Sequence, residues 1–153
     1  TSAQIENDFT DLVQDLEGNN VDMSNPVWLM APRSKNHLIN LRDANGNLIY
    51  PELRNANPTI HTFPVLITNI VPTIVGGGWY ESDLYLLKVP DAMIGESGGM
   101  EITVDTSAAY VQGGTLQSAF SQDQTVVRAI MRHDFALAYD ASVAVKTGIK
   151  WGA

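Results

Sequence analysis

The stretch Gly95-Glu96-Ser97-Gly98-Gly99, GESGG, carries the residue types of a nucleophile site. It fits the G-x-S-x-G pattern, in which a strained turn exposes a serine Oγ for attack on a carbonyl carbon. His61 and Asp83 precede it, so a base, an orienting acid and a nucleophile occur in the order His, Asp, Ser. Such an elbow needs a strand entering the turn and a helix leaving it, which puts the serine at a helix N-terminus. Here the order is reversed. PDAMIGES reads as a helical turn opened by Pro90, and MEITVDT after it alternates as a half-exposed strand. The expectation is that Ser97 and its glycines form a corner between helix and strand.

The other chemical candidates are thinner. GESGG also resembles the GDSGG of trypsin-like proteases, but two β-barrels do not fit in 153 residues that include an acidic helix. His61 sits in NPTIHTFP, a loop leading into a strand. His133 and Asp134 are neighbours within a long strand, so their side chains point to opposite faces. His37 has no second histidine one helical turn away, which leaves a zinc site unsupported. Asp91 and Glu96 read as solvated acids beside a glycine corner. Gly76 to Gly78 lack the lysine and helix that follow a phosphate-binding loop. DANGNL superficially matches a calcium loop, yet its glycine comes too early, and Asn45-Gly46 is a tight-turn pair. These residues predict no catalytic set, no metal and no cofactor.

The elements that would position such residues follow from periodicity. TSAQIENDFTDLVQDLEG places Ile5, Phe9, Leu12, Val13 and Leu16 on one helical face, with Thr1 or Ser2 as cap, early acids suiting the dipole and Gly18 at the end. NPVWLMAP and FPVLITNIVPT are buried-strand candidates, and LYLLKV is another strand. RSKNHLINLRD reads as a short helix with Leu38, Ile39 and Leu41 as its apolar side. IVGGGWYESD is a glycine-rich loop. In TVVRAIMRHDFALAY, Val127, Ala129, Met131, Phe135, Leu137 and Tyr139 share a strand face. In SVAVKTGIKW, Val143, Val145, Ile149 and Trp151 are expected on one side, with Lys146 and Lys150 on the other. A few helices and five or more strands give an α+β class.

Composition bounds the function. At 44% hydrophobic and 17% charged residues the chain is globular, and its length suits one domain. The net charge of −8 argues against a nucleic-acid grip, which needs clustered Lys and Arg. Glu6, Asp8, Asp11, Asp15, Glu17 and Asp22 fall in the first segment and read as a solvated helix face. The absence of cysteine excludes disulfides and thiolate chemistry. No apolar run approaches the length of a membrane span, and no secretory signal is expected.

The order of segments says more than any single motif. NPVWLMAPRSKNHLINLRDANGNLIY is a strand after N-P, a short helix and a D-x-x-G turn into another strand. FPVLITNIVPT, a loop, SDLYLL, a short helical turn and MEITVDT follow, and QTVVRAIMRHDFALAYDASVAVKTG closes the chain. From Asn25 to Gly148 this succession resembles the C-terminal part of tailed-phage major capsid proteins of the HK97-like type. Phe63-Pro64-Val65, the later Pro72 and FALAYDASVAV are its most telling pieces.

The resemblance implies a fragment of a shell-building subunit, with a central mixed sheet flanked by helices and long strands from a peripheral domain. By that analogy residues 1–124 are mostly axial domain, residues 125–140 a long peripheral strand, and residues 141–153 a strand returning to the axial sheet. The N-terminal arm, extended loop and long spine helix of the family have no counterpart in this sequence. The partners implied are further copies of the chain in hexamers and pentamers, with scaffold, portal and maturation protease in the full-length context. DNA would be enclosed without a specific grip, in a virion shell assembled in the host cytoplasm. TVVRAIMRHDF lacks the Asn and Glu of cross-linking relatives, so that chemistry is not carried over. The axial loop would be Thr73, Ile74, Val75, Gly76, Gly77, Gly78, Trp79 and Tyr80, with Trp79 as its anchor on a neighbouring subunit. Alternatives are an encapsulin-like compartment shell, a small serine hydrolase using Ser97, and a β-rich binding module.

Overall fold

Ile5, Phe9, Leu12 and Leu16 recur at helical spacing, and they form the buried face of helix α1 (Ser2–Gly18). Thr1 Oγ1 donates to Gln4 Oε1 at 3.1 Å across its first turn. That turn holds no acid, so the expected early match to the helix dipole is absent and the acidic run starts at Glu6. Helix α2 (Pro32–Asn40) starts with Pro32, whose fixed φ suits a first helical turn, and buries Leu38. It ends before Leu41, which caps it in extended conformation.

The computed structural model describes residues 1–77 and 80–152. Its strands, in chain order, are β1 (Pro26–Met30), β2 (Thr59–Ile60), β3 (Phe63–Ile67), β4 (Ser82–Lys88), β5 (Ala92–Asp105), β6 (Ala109–Gln112), β7 (Thr115–Ser118), β8 (Val126–Leu137) and β9 (Val143–Ile149). The chain divides into one unit of Thr1–Ala92 with Leu137–Ala153 and a second of Met93–Ala136. The units change at 92/93 and 136/137, and the expected partition drew its lines at 124/125 and 140/141.

The first unit holds both helices and a five-stranded mixed sheet in the order β2-β3-β1-β4-β9. β1 runs parallel to β3 and antiparallel to β4, and β4 runs antiparallel to β9. The core forms where α1 lies on this sheet. Phe9 and Trp28 are fully buried, with ring centroids 5.0 Å apart in an edge-to-face arrangement, and Trp151 packs 5.4 Å from Phe9. The Trp28 indole N–H finds its partner in the Ile60 carbonyl at 3.1 Å.

Two strand readings are corrected here. In β3 only Val65 is buried and Leu66 is mostly exposed, so the run is half-buried despite its continuous apolar sequence. In β9 the inward residues are Ala144 and Ile149, whereas Val145 is exposed. Gly148 has φ +75 and the β4 pairing slips between Leu84↔Lys146 and Ser82↔Ile149. The extra residue reverses the alternation, so strict period-two counting fails beyond Thr147. Lys146 then reaches Asp8 at 3.0 Å and Asp11 at 3.3 Å on α1. Those hydrogen bonds, Asp8 first, hold its ammonium above its ordinary range.

The second unit is all strand apart from one short helical turn: β5 pairs with β8, and β6 with β7. The β6–β7 hairpin turns on Gly113 and Gly114, both at positive φ, a two-residue connection that suits the right-handed twist of its strands. GESGG is not a corner: Gly95 to Gly99 lie within β5. The helical turn ahead of it is only Val89–Asp91, and the chain is extended from Ala92 onward. Gly98 and Gly99, at φ +75 and +67, bend the strand without ending it. MEITVDT, expected to be half-exposed, is exposed along its length.

Candidate functional site

The segment between β3 and β4 buries Val71 but leaves other described apolar residues uncovered. Ile70 is 90% exposed, Ile74 64% and Tyr80 63%, so this loop presents large side chains where a monomer gains nothing from them. Gly78 and Trp79, two of the residues expected in the subunit contact, lie outside the described residues.

The loop is tied at its base. Val75 N–H donates to the Glu81 carbonyl at 3.1 Å, and Glu81 N–H returns to the Val75 carbonyl at 3.2 Å. Arg33, in the first turn of α2, spans the two legs of the loop. Its Nη1 donates to the Thr73 carbonyl at 3.0 Å and its Nη2 to the Tyr80 carbonyl at 2.8 Å. Glu81 points its carboxylate over Gly76, whose φ of +76 and lack of Cβ leave room for it. The same carboxylate lies 3.3 Å from Lys150 Nζ. Sequence reading missed Arg33 and Glu81, because nothing in their local sequence announces partners 40 or more residues away.

The second unit carries a larger apolar surface. Met93, Ile94, Met100, Ile102 and Val104 of β5 and Val127, Met131 and Phe135 of β8 are all half or more exposed. The face expected on the last long strand exists there as uncovered surface.

His61 and Asp83 belong to the first unit and Ser97 to the second, and within the first unit no hydrogen bond joins His61 to Asp83 among the described residues. His61 instead sits in a left-handed turn at φ +49, with Nε2 2.7 Å from Glu6 Oε1. The Tyr50 hydroxyl donates to the other Glu6 oxygen at 2.6 Å. Burial pulls the Glu6 carboxyl upward, but the Tyr50 and His61 hydrogen bonds and the His61 charge together leave it below its usual range. Burial first, then the Glu6 carboxylate, pushes the Tyr50 phenol well above its ordinary value. Asp91 is not solvated, as expected from sequence, but buried: Ser142 donates to Oδ2, and Lys88 Nζ lies 3.4 Å from the same oxygen. His133 and Asp134 flank Ser97 in a shallow open groove of the second unit, with no hydrogen bond among the three. No group of three metal-ligating side chains occurs among the described residues. Among them, no helix is long and apolar enough to cross a membrane.

The described residues form an α+β scaffold with exposed apolar side chains in both units. The model of the phage capsid family matches residues 2–148, and the chain belongs to that family. It is 32% identical over 139 residues to the major capsid protein of Klebsiella oxytoca phage phiKO2, across 90% of this chain. The chain spans 32% of that relative's length.

Proposed function

We propose that this chain is the shell-building part of a phage major capsid protein with the HK97-like fold, assembling into hexamers and pentamers of an icosahedral head. The observation that carries the reading is the family match along residues 2–148. The relative's description as a major capsid protein supports it. In this reading the unit of Thr1–Ala92 with Leu137–Ala153 is the axial domain and Met93–Ala136 the peripheral one. The loop Thr73–Tyr80, including Trp79, meets a neighbouring subunit near the capsomer axis. Its exposed Ile74 and Tyr80 suit a contact that becomes dry on assembly. Each contact is modest, and repetition over many symmetric copies makes the shell strong.

Scaffold, portal and maturation protease act on the full-length protein in this proposal. The net charge of −8 suits a wall that encloses DNA without gripping it. Negative-stain electron microscopy of the full-length gene product, expressed with its neighbouring reading frames, tests the assignment. Closed shells or hexameric rings are expected. A persistent monomer whose Ser97 is labelled by a fluorophosphonate would overturn it in favour of hydrolase chemistry.

A further inference from the structure

We propose that Arg33 and Glu81 are positioning residues that hold the legs of the loop between β3 and β4, at Thr73–Gly77 and at Tyr80, in the geometry in which it docks on a neighbouring copy of this chain. The proposal rests on the reading of that loop as a subunit contact. Its own support is the clamp geometry.

Gly76 and Gly77 are adjacent glycines, and without Cβ atoms such a pair has access to many backbone conformations. A contact made by such a segment loses ordering entropy at every docking event, and a shell repeats that loss in each subunit. The structure opposes this at two points. Arg33 donates through both terminal nitrogens to carbonyls on opposite legs, Thr73 at 3.0 Å and Tyr80 at 2.8 Å. A planar guanidinium holds two acceptors in one plane, which a lysine ammonium on a flexible stem does not. Glu81 acts one step further along. Its backbone pairs with Val75, its carboxylate fills the space over Gly76, and Lys150 anchors that carboxylate at 3.3 Å. The two clips fix the ends of the loop and leave Ile74 and Tyr80 projecting. Neither clip is among the large core side chains, which centre on Phe9 and Trp28. Thermal stability is therefore measured beside assembly, to separate loop shape from fold stability.

The test is in-vitro assembly of the full-length protein, comparing wild type, Arg33→Lys, Glu81→Gln and the double variant Ile74→Ser with Tyr80→Ser. The double variant removes the contact itself and tests the underlying reading. The positioning variants should raise the critical assembly concentration by about tenfold, equivalent to roughly 1.4 kcal/mol. Their thermal midpoints should stay at the wild-type value, and amide exchange at Val75 and Glu81 should accelerate. Normal assembly of both positioning variants, alongside a defective double variant, would overturn the positioning role and leave the loop contact standing. Normal assembly of the double variant would remove the contact and the proposal with it. If Arg33→Lys fails to fold, Glu81→Gln decides alone. A loss of thermal stability that scales with the assembly defect in both would assign them a merely structural role.

Discussion

The two units of this chain treat similar side chains in opposite ways. In the first, Phe9, Trp28, Met30, Leu38, Leu53 and Leu86 are completely buried. In the second, Ala119 is the only buried apolar residue among the described residues, while Phe120 is 82% exposed and Ile94 76%. The difference lies in architecture. A five-stranded sheet with α1 on it closes around its apolar side chains, whereas a two-stranded ribbon and a hairpin have no layer of their own to cover an apolar face. One region closes over its own apolar side chains, and the other leaves them exposed.

The sharpest way to break that comparison is to open the closed unit. Phe9 is fully buried and touches Trp28, Tyr50, His61 and Trp151 through its ring. Phe9→Ala should destabilise the isolated chain by about 3–5 kcal/mol, read from the urea midpoint, because a large ring leaves a cavity that rigid neighbours cannot fill. A loss under about 1 kcal/mol would mean that the aromatic cluster is loose.

A smaller effect is expected at the edge of the first unit. Asp91 takes the Ser142 hydroxyl and the Lys88 ammonium on one oxygen, and its carbonyl accepts from Ala138 N–H at 2.8 Å. Asp91→Ala leaves Ser142 buried without that acceptor and should cost about 1–3 kcal/mol. The backbone bond to Ala138 survives the substitution. Global unfolding should therefore shift while protection of the Ala138 amide from exchange falls only in proportion.

On the open surface the expectation reverses. Phe135 is 60% exposed, and Phe135→Ser should alter the stability of the isolated chain by no more than about 0.5 kcal/mol in either direction. Denaturation at two protein concentrations checks this. A concentration-dependent loss comparable to that of Phe9→Ala would show that the surface is covered in solution by another copy.

The closed unit was legible in sequence, and the open one was legible only in part. The α1 face follows from helical spacing alone, since every periodic apolar residue there is buried or partly so. β1 and β4 were equally readable from short apolar runs between breakers. Period-two counting failed in β9, because the pairing slips beside Gly148, where an isolated glycine within a strand pattern is itself a bulge signal. It failed again at GESGG, where glycines that usually mark a corner bend a continuing strand. The Gly113-Gly114 hairpin had a readable signal, a two-glycine connection between apolar strands, that went unused. The Arg33–Thr73 and Ser142–Asp91 contacts had none: each joins residues far apart in sequence, and only the folded topology brings them together.

The weakest expected effect concerns acid. Glu6, on α1, is bonded to Tyr50 and His61, and these interactions hold its carboxyl below the ordinary value of 4.5 despite burial. A group whose folded pKa is depressed contributes stability above its unfolded value and loses it as pH falls through the folded one. The first unit should thus begin to weaken as pH drops below 4.5, and Glu6→Gln should remove part of that dependence. Tyr50 has the opposite sign: its raised phenol supports the fold below the ordinary value of 10 and ceases to do so as alkali approaches the folded value. Nearly half of the Glu6 side chain is exposed, so solvent screening keeps the effect small. Thermal midpoints of wild type and Glu6→Gln should differ near neutrality and converge in acid. A gap that stays constant across that range would show that the Glu6 carboxylate charge contributes nothing to holding α1 on the sheet.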